Sequence, residues 1–285
     1  MGTVGTLVGI VVFLVGGSLV LRTLERVFPA RDSAGAPLRT KLLVPERLTD
    51  VAHVVFNQLV TRPLVRLVGL AIIIAFVVVF RLPRDPSHLY DVWHHDARLA
   101  SLPVLLQAPL AIVFADLAGY WAHRAMHHGR LWRFHAVHHS SRALDWLAGA
   151  RNHPIAEAFT TLVTVASVLL VGFDPRVLVV AAPLGLYAIL LHANVAWPFR
   201  ASPRARWLRY VVTTPLFHRW HHAHPDALPD AREGGVNFAG LLPMWDLLFG
   251  TFFAPDRDPA AFGADVPVPA RFARQLVFPF QKPTP

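Results

Sequence analysis

The sequence contains no cysteine and little charge. None of its 285 residues is cysteine, which excludes disulfides, iron–sulfur clusters, thiolate zinc sites and cysteine nucleophiles. Asp, Glu, Lys and Arg make up only 16% of the chain, against about a quarter in ordinary soluble domains. Lysine occurs only at Lys41 and Lys282, so nearly all of the 27 basic residues are arginine. A soluble cytosolic globule is therefore not expected, and a hydrophobic content of 54% excludes a disordered chain.

The chain contains several long apolar stretches. Five of them approach the ~20 residues that a helix needs to cross the hydrocarbon core of a bilayer, and Asp174-Pro175 marks the turn between the last two. The amphipathic stretch 51–63 is predicted to lie in the membrane interface or to re-enter the membrane. These patterns predict an all-α, polytopic membrane protein with about four to five transmembrane helices. The five stretches are 4–21, 64–80, 101–121, 156–172 and 177–195.

Most basic residues fall on one side of this topology. A net charge of +9 on so apolar a chain favours a membrane surface as partner over nucleic acid. Basic loops collect on the cytoplasmic side, so the amino terminus is expected outside and a cytoplasmic helical cap is expected from 122–155 and 196–253. The arginine-rich composition suggests a GC-rich bacterial genome and hence a bacterial inner membrane. The basic loops are 22–63, 122–155 and 196–285, and the loops of the opposite face are 81–100 and 173–176.

Histidine is the residue in excess. The chain has 16, and three boxes stand out: HRAMHH, HAVHH and HRWHH. Positions three and four apart share one face of a helix, so each box aims at least two imidazoles at a common point. Imidazole binds Zn, Fe, Cu or Ni, and eight or more converging histidines are too many for a single ion, which indicates two. The boxes contain His123, His127, His128, His135, His138, His139, His218, His221 and His222.

A carboxylate lies on the same helical stripe as the first box. Asp116, Tyr120 and His123 are spaced at i, i+4 and i+7, and a carboxylate near the end of a membrane span is costly. We expect Asp116 and Tyr120 to belong to the catalytic site. Asp116 should accept a hydrogen bond from a metal-ligating histidine, with His192 or a member of 218–222 as the candidates. A structural carboxylate paired with an arginine or with Tyr120 is the alternative.

Several residues near the boxes are predicted to be ordinary interface residues. Trp146 and Trp220 match the aromatic belt of membrane proteins, and Arg219 matches a contact with lipid headgroups. The isolated histidines are interpreted in the same way, as polar residues at the membrane surface: His53, His88, His94 and His95.

At the boxes the sequence resembles the fatty acid hydroxylase/sterol desaturase superfamily of membrane-bound di-iron oxygenases. The resemblance rests on DLAGYWAHRAMHH from Asp116, LWRFHAVHHS from Leu131 and HRWHH from His218, together with RNHP, LHAN, NFAG and WDLLFGTF. It covers about residues 105–253. The metal ligands that it implies are His123, His127, His135, His138, His139, His192, His218, His221 and His222, with His128 and His153 at positions where the family varies.

The resemblance implies an O₂-dependent enzyme that hydroxylates or desaturates a C–H bond of a lipid, such as a sterol or a fatty acyl chain. Two iron ions would be its cofactors, and zinc could replace them in purified protein. A separate electron donor, such as a ferredoxin or a cytochrome b5-like protein, is implied as well. The expected organisation is an amino-terminal membrane region with two spans (1–100), a catalytic domain (101–253) and a proline-rich, largely irregular tail (254–285).

Other functions remain open on the sequence alone. A zinc-dependent membrane hydrolase needs only three protein ligands, but the chain lacks an HExxH pattern. A histidine-rich metal transporter should place ionisable groups at mid-membrane, where only Asp116 comes near. Metal content separates these functions, because the oxygenase predicts two irons per chain and the hydrolase one zinc.

Overall fold

The computed structural model describes residues 3–30, 45–81, 101–174, 176–177, 184–196, 203–229 and 234–282, and the single positions 85 and 99. Across these residues the chain is helical and forms no β-strand, as predicted. Its α-helices are α1 Thr3–Val27, α2 Pro45–Phe56, α3 Arg62–Val79, α4 Val104–Met126, α5 Gly129–His139, α6 Pro154–Val171, α7 Leu184–His192, α8 Pro215–His221, α9 Met244–Leu248 and α10 Phe272–Val277.

Four helical segments are long and apolar enough to cross a membrane. Their outward faces expose bare aliphatic side chains, for example Leu19 and Leu105, which is unfavourable in water and normal towards lipid. Four of the predicted spans are therefore confirmed. The fifth predicted stretch, 177–195, lies partly outside the described residues, and its described part is α7. The four segments are Gly5–Val27, Glu46–Val79, Val104–Met126 and Pro154–Val171.

The amphipathic stretch 51–63 lies within one long helix that begins at Pro45. A π-helical turn, Asn57–Thr61, joins α2 directly to α3, and the combined segment has 34 residues. At ~1.5 Å per residue it is about 51 Å long, whereas the hydrocarbon core of a bilayer is only about 30 Å thick. The α2 portion therefore extends past the hydrocarbon core. At the start of the π-helical turn, the Asn57 amide donates a hydrogen bond of 2.7 Å to the Ala150 carbonyl.

The helix ends that carry histidine meet at one end of the bundle. α4 packs along α6, and α6 packs along α3. The end of α4 lies beside α5, where His123 meets His135. The end of α7 lies beside α8, where His192 meets His218. The histidine-bearing ends of these helices are thus brought together, and the cytoplasmic cap itself stays a prediction.

Three side chains that the sequence places at the membrane interface are buried instead. Trp146 and Trp220 are each 2% exposed, and Trp146 packs in a core with Val54. The Arg219 guanidinium is buried against Asp258, with 2.5 Å between Nε and Oδ1. These predictions were wrong because the segments next to the boxes fold into the interior, which composition alone does not reveal.

The carboxyl-terminal tail is largely irregular up to residue 271, as predicted, and then becomes helical in α10 and in the 3₁₀ turn Phe278–Phe280. The Phe278 side chain is buried against Val137 of α5, and Gln275 is fully buried. The tail therefore packs against the helix that carries the second box.

Candidate metal centre

Nine histidines converge in two groups, and they are the nine that the sequence singles out as principal ligands. Within each group, one ring nitrogen per residue lies within 4.8 Å of all the others. The first group is His123, His127, His135, His139 and His221, and the second group is His138, His192, His218 and His222.

Helical spacing divides two of the three boxes between the two groups. On α5, His135 and His139 are one turn apart and join the first group, whereas His138 joins the second. The box on α8 does the reverse, because its i and i+4 histidines join the second group and His221 joins the first. Two short helices therefore bridge both sites, while the end of α4 serves the first site and His192, the last residue of α7, serves the second.

The ring nitrogens within each group are spaced like ligands of one ion. Nε2 of His139 lies 3.2 Å from Nε2 of His135 and 3.0 Å from Nε2 of His221. In the second group, Nε2 of His192 lies 3.1 Å from Nε2 of His138. Two nitrogens that bind one ion at about 2.1 Å and at a right angle lie about 3 Å apart. Each group therefore fits nitrogen ligation of a single ion.

Backbone carbonyls fix the tautomer of four of these imidazoles. A carbonyl only accepts hydrogen bonds, so an Nδ1 beside it carries the ring proton and Nε2 keeps a free lone pair. Such outer hydrogen bonds orient metal-ligating histidines. The pairs are His123 with Phe238 (2.8 Å), His138 with Arg151 (3.0 Å), His192 with Ala188 (2.7 Å) and His221 with Val236 (2.8 Å).

The rings of His138 and His192 are arranged to bind a cation between them. Both Nδ1 protons are committed to carbonyls, so two Nε2 lone pairs face each other across 3.1 Å. A proton is a poor candidate, because burial lowers the pKa of His138 well below 6.5. The donor set therefore fits a metal ion, the cation that neutral imidazole binds most readily.

The other buried box histidines on α5 and α8 share this electrostatic environment. Burial penalises their charged form and lowers the pKa of each well below 6.5, so all of them are neutral and ready to bind metal at pH 7. They are His135, His139, His218, His221 and His222.

The two groups differ in their access to a cavity. A cavity of about 570 Å³ reaches His127, His139 and His221 of the first group, and its walls include Trp132 and Asp265. None of the four histidines of the second group lines it. A small polar molecule in this cavity therefore meets the first site and not the second.

Asp116 binds a loop and not a histidine. Its carboxylate accepts the backbone N–H groups of Leu241 (2.8 Å) and Leu242 (2.9 Å) and the indole N–H of Trp245 (3.1 Å). The expected hydrogen bond from a metal ligand was wrong, and so was the alternative pairing with an arginine or with Tyr120. The stripe on α4 does face inward, but at the level of Asp116 it meets the loop after residue 239.

Tyr120 lies one turn further on and contacts the same region. Its hydroxyl lies 2.9 Å from Oγ1 of Thr251 and accepts a hydrogen bond of 3.0 Å from Arg124. The Thr251 hydroxyl donates in turn to Asp246 at 2.6 Å. Tyr120 thus supports the end of the 238–251 segment, and a direct role in catalysis stays a prediction.

Asp246 is the supporting residue that the sequence reasoning missed. Its carboxylate accepts the backbone N–H groups of Phe238 (2.8 Å) and Ala239 (3.0 Å), and the Phe238 carbonyl is the one that orients His123. This aspartate lies in WDLLFGTF, one of the motifs on which the resemblance rests. The resemblance therefore indicated Asp246, whereas the spacing of residues did not.

His128 and His153 join neither group, and the ligand role that the resemblance gave them stays a prediction. His128 is the residue before α5. His153 precedes α6, and both of its nitrogens are used, since Nδ1 accepts the N–H of Ile155 at 3.2 Å and Nε2 bonds the Leu276 carbonyl at 3.1 Å.

The isolated histidines were predicted to lie at the membrane surface, and the structure describes one of them. His53 is fully buried and not interfacial, with Nε2 2.8 Å from Oε1 of Gln275. It belongs to neither group. His88, His94 and His95 lie outside the described residues.

Comparison with known proteins gives a consistent result. A family model described as fatty acid hydroxylase matches residues 108–251. Ornithine lipid hydroxylase OlsE of Rhizobium tropici is 35% identical over 183 residues, which cover 63% of this chain and 52% of that protein. Alkylglycerol monooxygenase of Danio rerio is 30% identical over 164 residues, which cover 56% of this chain and 33% of that protein.

A more distant relative is the very-long-chain aldehyde decarbonylase GL1-7 of Oryza sativa subsp. japonica, 26% identical over 251 residues that cover 82% of this chain and 35% of that protein. The chain thus spans about half of the length of these curated relatives, or less. No solved structure matches it. Because the family model covers half of the chain and includes all nine converging histidines, the protein belongs to the fatty acid hydroxylase family.

Proposed function

We propose that this protein uses two iron ions and O₂ to hydroxylate a C–H bond of a membrane lipid. The observation that carries the proposal is the pair of histidine groups, in which buried neutral imidazoles direct Nε2 atoms 3.0–3.2 Å apart towards common points. Membership of a family of lipid oxidoreductases supports the same reaction class.

Each histidine group would hold one iron ion. The first offers five neutral nitrogens and the second four, so neither site adds negative charge to the ion that it binds. Once bound, the irons would supply the activation of O₂ that an inert C–H bond requires. Imidazole does not distinguish iron from zinc, so protein purified without added iron could contain zinc in the same positions.

The net reaction also requires electrons and protons. Hydroxylation inserts one oxygen atom of O₂ into a C–H bond, and the other atom leaves as water after taking two electrons and two protons. Desaturation uses the same electrons and protons but removes two hydrogens and releases two waters. We favour hydroxylation because two relatives, 35% and 30% identical, are named a hydroxylase and a monooxygenase. The electrons would come from a separate carrier such as a ferredoxin or a cytochrome b5-like protein.

The protein would orient the ligands and exclude bulk water from the second site. The carbonyls of Phe238, Arg151, Ala188 and Val236 hold the imidazoles in the ligating tautomer, and the cavity beside the first group offers a route for water and protons. The lipid would enter from the bilayer along the apolar faces of the spans. We propose the catalytic domain as 101–253, flanked by 1–100 and 254–285.

We also propose that the protein is integral to a bacterial inner membrane, with the histidine groups on its cytoplasmic side. The four apolar helices support membrane integration. The concentration of arginine in the loops on the side of the histidine groups supports the orientation, and a relative from Rhizobium tropici supports a bacterial setting.

The test is expression in a bacterial host without the gene, supplied with isotopically labelled O₂. Lipid extracts should contain a new species carrying one labelled oxygen atom, and purified protein should bind two irons per chain. The His138→Ala variant is the matched control and should yield no labelled lipid. One zinc per chain with no oxygen incorporation would indicate a hydrolase, and metal flux into vesicles would indicate a transporter; either result would overturn the proposal.

A further inference from the structure

We propose that α2 is part of the metal centre, because Asp50 positions the ligand His138 through Arg151. This inference rests on the proposed function, since it takes the two histidine groups as metal sites. It assigns a task to the amino-terminal region, which lies outside the residues matched by the family model.

The contact that matters is the one between His138 and residue 151. Nδ1 of His138 donates its proton to the Arg151 carbonyl at 3.0 Å. Arg151 follows the 3₁₀ turn Ala148–Ala150 and precedes α6, with φ −71° and ψ 85°. No helical ladder therefore fixes this carbonyl, and its position depends on how the Arg151 side chain is anchored.

That anchor is α2. The Arg151 side chain is 2% exposed, and its Nε donates to the Asp50 carboxylate, which is also buried. Nη2 of Arg151 reaches the Glu46 carbonyl at 3.3 Å, one turn earlier on the same helix. Nη2 also lies 3.6 Å from the Glu46 carboxylate, so both of these acidic partners of Arg151 lie on α2. Because a buried guanidinium that loses a partner is strongly unfavourable, Arg151 and its carbonyl should follow any displacement of Asp50.

The same guanidinium also contacts the helix that carries the ligand. Nη1 of Arg151 donates to Oγ of Ser140 at 3.2 Å, and Ser140 is the residue that ends α5. The Gln275 amide donates to the same Oγ at 3.3 Å and lies 2.8 Å from Nε2 of His53, one turn after Asp50 on α2. One face of α2 thus holds both the carbonyl that orients His138 and the end of its helix.

The Arg151 carbonyl orients a ligand of the second group only, whereas the end of α5 carries His139 of the first group as well. In the first group, the Phe238 carbonyl that orients His123 lies in a segment held by Asp246. Those contacts do not involve α2. A change at Asp50 should therefore weaken the ion of the second group much more than the ion of the first group.

The experiment titrates metal-free, full-length protein with Fe²⁺ under anaerobic conditions and measures the iron bound per chain and both apparent Kd values. Wild-type protein is compared with Asp50→Asn and with Asp50→Glu, which keeps the charge. Thr49→Val is the matched control, because Thr49 is the neighbour of Asp50 on α2 and its hydroxyl donates to the Ala270 carbonyl at 2.8 Å. Thermal unfolding of the metal-free forms is recorded in parallel.

We expect Asp50→Asn to weaken one Kd by 10–100-fold, the usual effect of losing an outer support of a ligand, and to change the other Kd much less. Asp50→Glu should recover most of the loss, and Thr49→Val should bind both ions like the wild type. Two wild-type Kd values in Asp50→Asn, or an equal loss at both sites, would overturn the role of α2 while the proposed function stands. A wild-type protein that binds no pair of ions would overturn the proposed function itself.

If Asp50→Asn fails to fold, Arg151→Lys decides the question. Lysine keeps a charge for Asp50 but cannot reproduce the fork of hydrogen bonds to Ser140 and Glu46. Selective weakening of one ion in this variant supports the proposal, and wild-type affinity at both sites overturns it.

Discussion

Gly149 leaves the space that the His192 imidazole occupies. A Cβ on residue 149 would lie 2.8 Å from both Cγ and Nδ1 of this ring, well inside the ~3.5–4.0 Å at which non-bonded carbon atoms attract. The ring is buried, so it cannot simply turn away into solvent. A single added methyl group therefore tests the position of a proposed ligand without changing any polar group.

Gly149→Ala should displace His192 and lower the metal content from two ions per chain towards one, as measured by elemental analysis of protein purified with excess iron. The matched control is Gly185→Ala on α7, where no atom lies within 4 Å of the new Cβ. Full metal content in Gly149→Ala would show that the second site does not depend on this ring.

His138→Ala removes one ligand from the second group, and His221→Ala removes one ligand from the first group. Each variant should abolish activity. Each variant should retain about one ion per chain, because the other group is left complete. Neither residue lies in a membrane-spanning segment, so both proteins should still fractionate with membranes. Full activity in either variant would contradict the assignment of these histidines as ligands.

Eight of the nine converging histidines could be predicted from the sequence because their signal is local, whereas His192 was indicated only by the resemblance. Boxes at helical spacing and apolar runs of span length depend on neighbours along the chain, as with His135 and His139. The division into two groups could not be predicted, because it depends on how α5 and α8 face each other. The burial of Arg219 against Asp258 depends on the tail in the same way, and the sequence contains no local sign of it.

The Asp116 prediction failed for a related reason. A helical stripe correctly places Asp116 and His123 on one side of α4, but they are two turns apart, about 10.5 Å along the axis. What a side chain meets at that distance is decided by the loop that packs there, and this loop comes from residues 240–242.

Asp116→Asn should lower stability and leave turnover per bound iron unchanged. The carboxylate accepts three N–H donors, and each hydrogen bond to a charged acceptor contributes about 1.5–3 kcal/mol; an asparagine turns its NH₂ group towards at least one of them. Trp245→Phe, which removes a single donor, should cost less. Thermal unfolding and turnover per iron are the measurements, and a large loss of turnover per iron at unchanged stability would contradict this structural role.

Metal removal should destabilise the protein substantially. Without ions, the Nε2 lone pairs of His138 and His192 face each other in a buried site, and any metal that binds only the folded state adds about 2.7 kcal/mol at 100 times its Kd. We expect chelation to lower the thermal midpoint and Fe²⁺ or Zn²⁺ to restore it. Mg²⁺ should have no effect, since it prefers oxygen ligands. An unchanged midpoint after complete metal removal would argue against metal in these groups.

His153→Ala should bind metal like the wild type but unfold more easily. Both ring nitrogens are engaged by backbone groups, one at the start of α6 and one at Leu276 of the tail. Burial lowers the pKa of His153, so at pH 7 the ring is neutral and Nδ1 can accept the Ile155 N–H. Loss of such a cap typically costs about 1 kcal/mol, and loss of the Leu276 contact should loosen α10. The measurements are iron per chain, thermal midpoint and the rate of proteolysis in the tail, with His138→Ala as the comparison. A His153→Ala protein that lost an ion while keeping its thermal midpoint would restore this histidine to the ligand set that the resemblance implied.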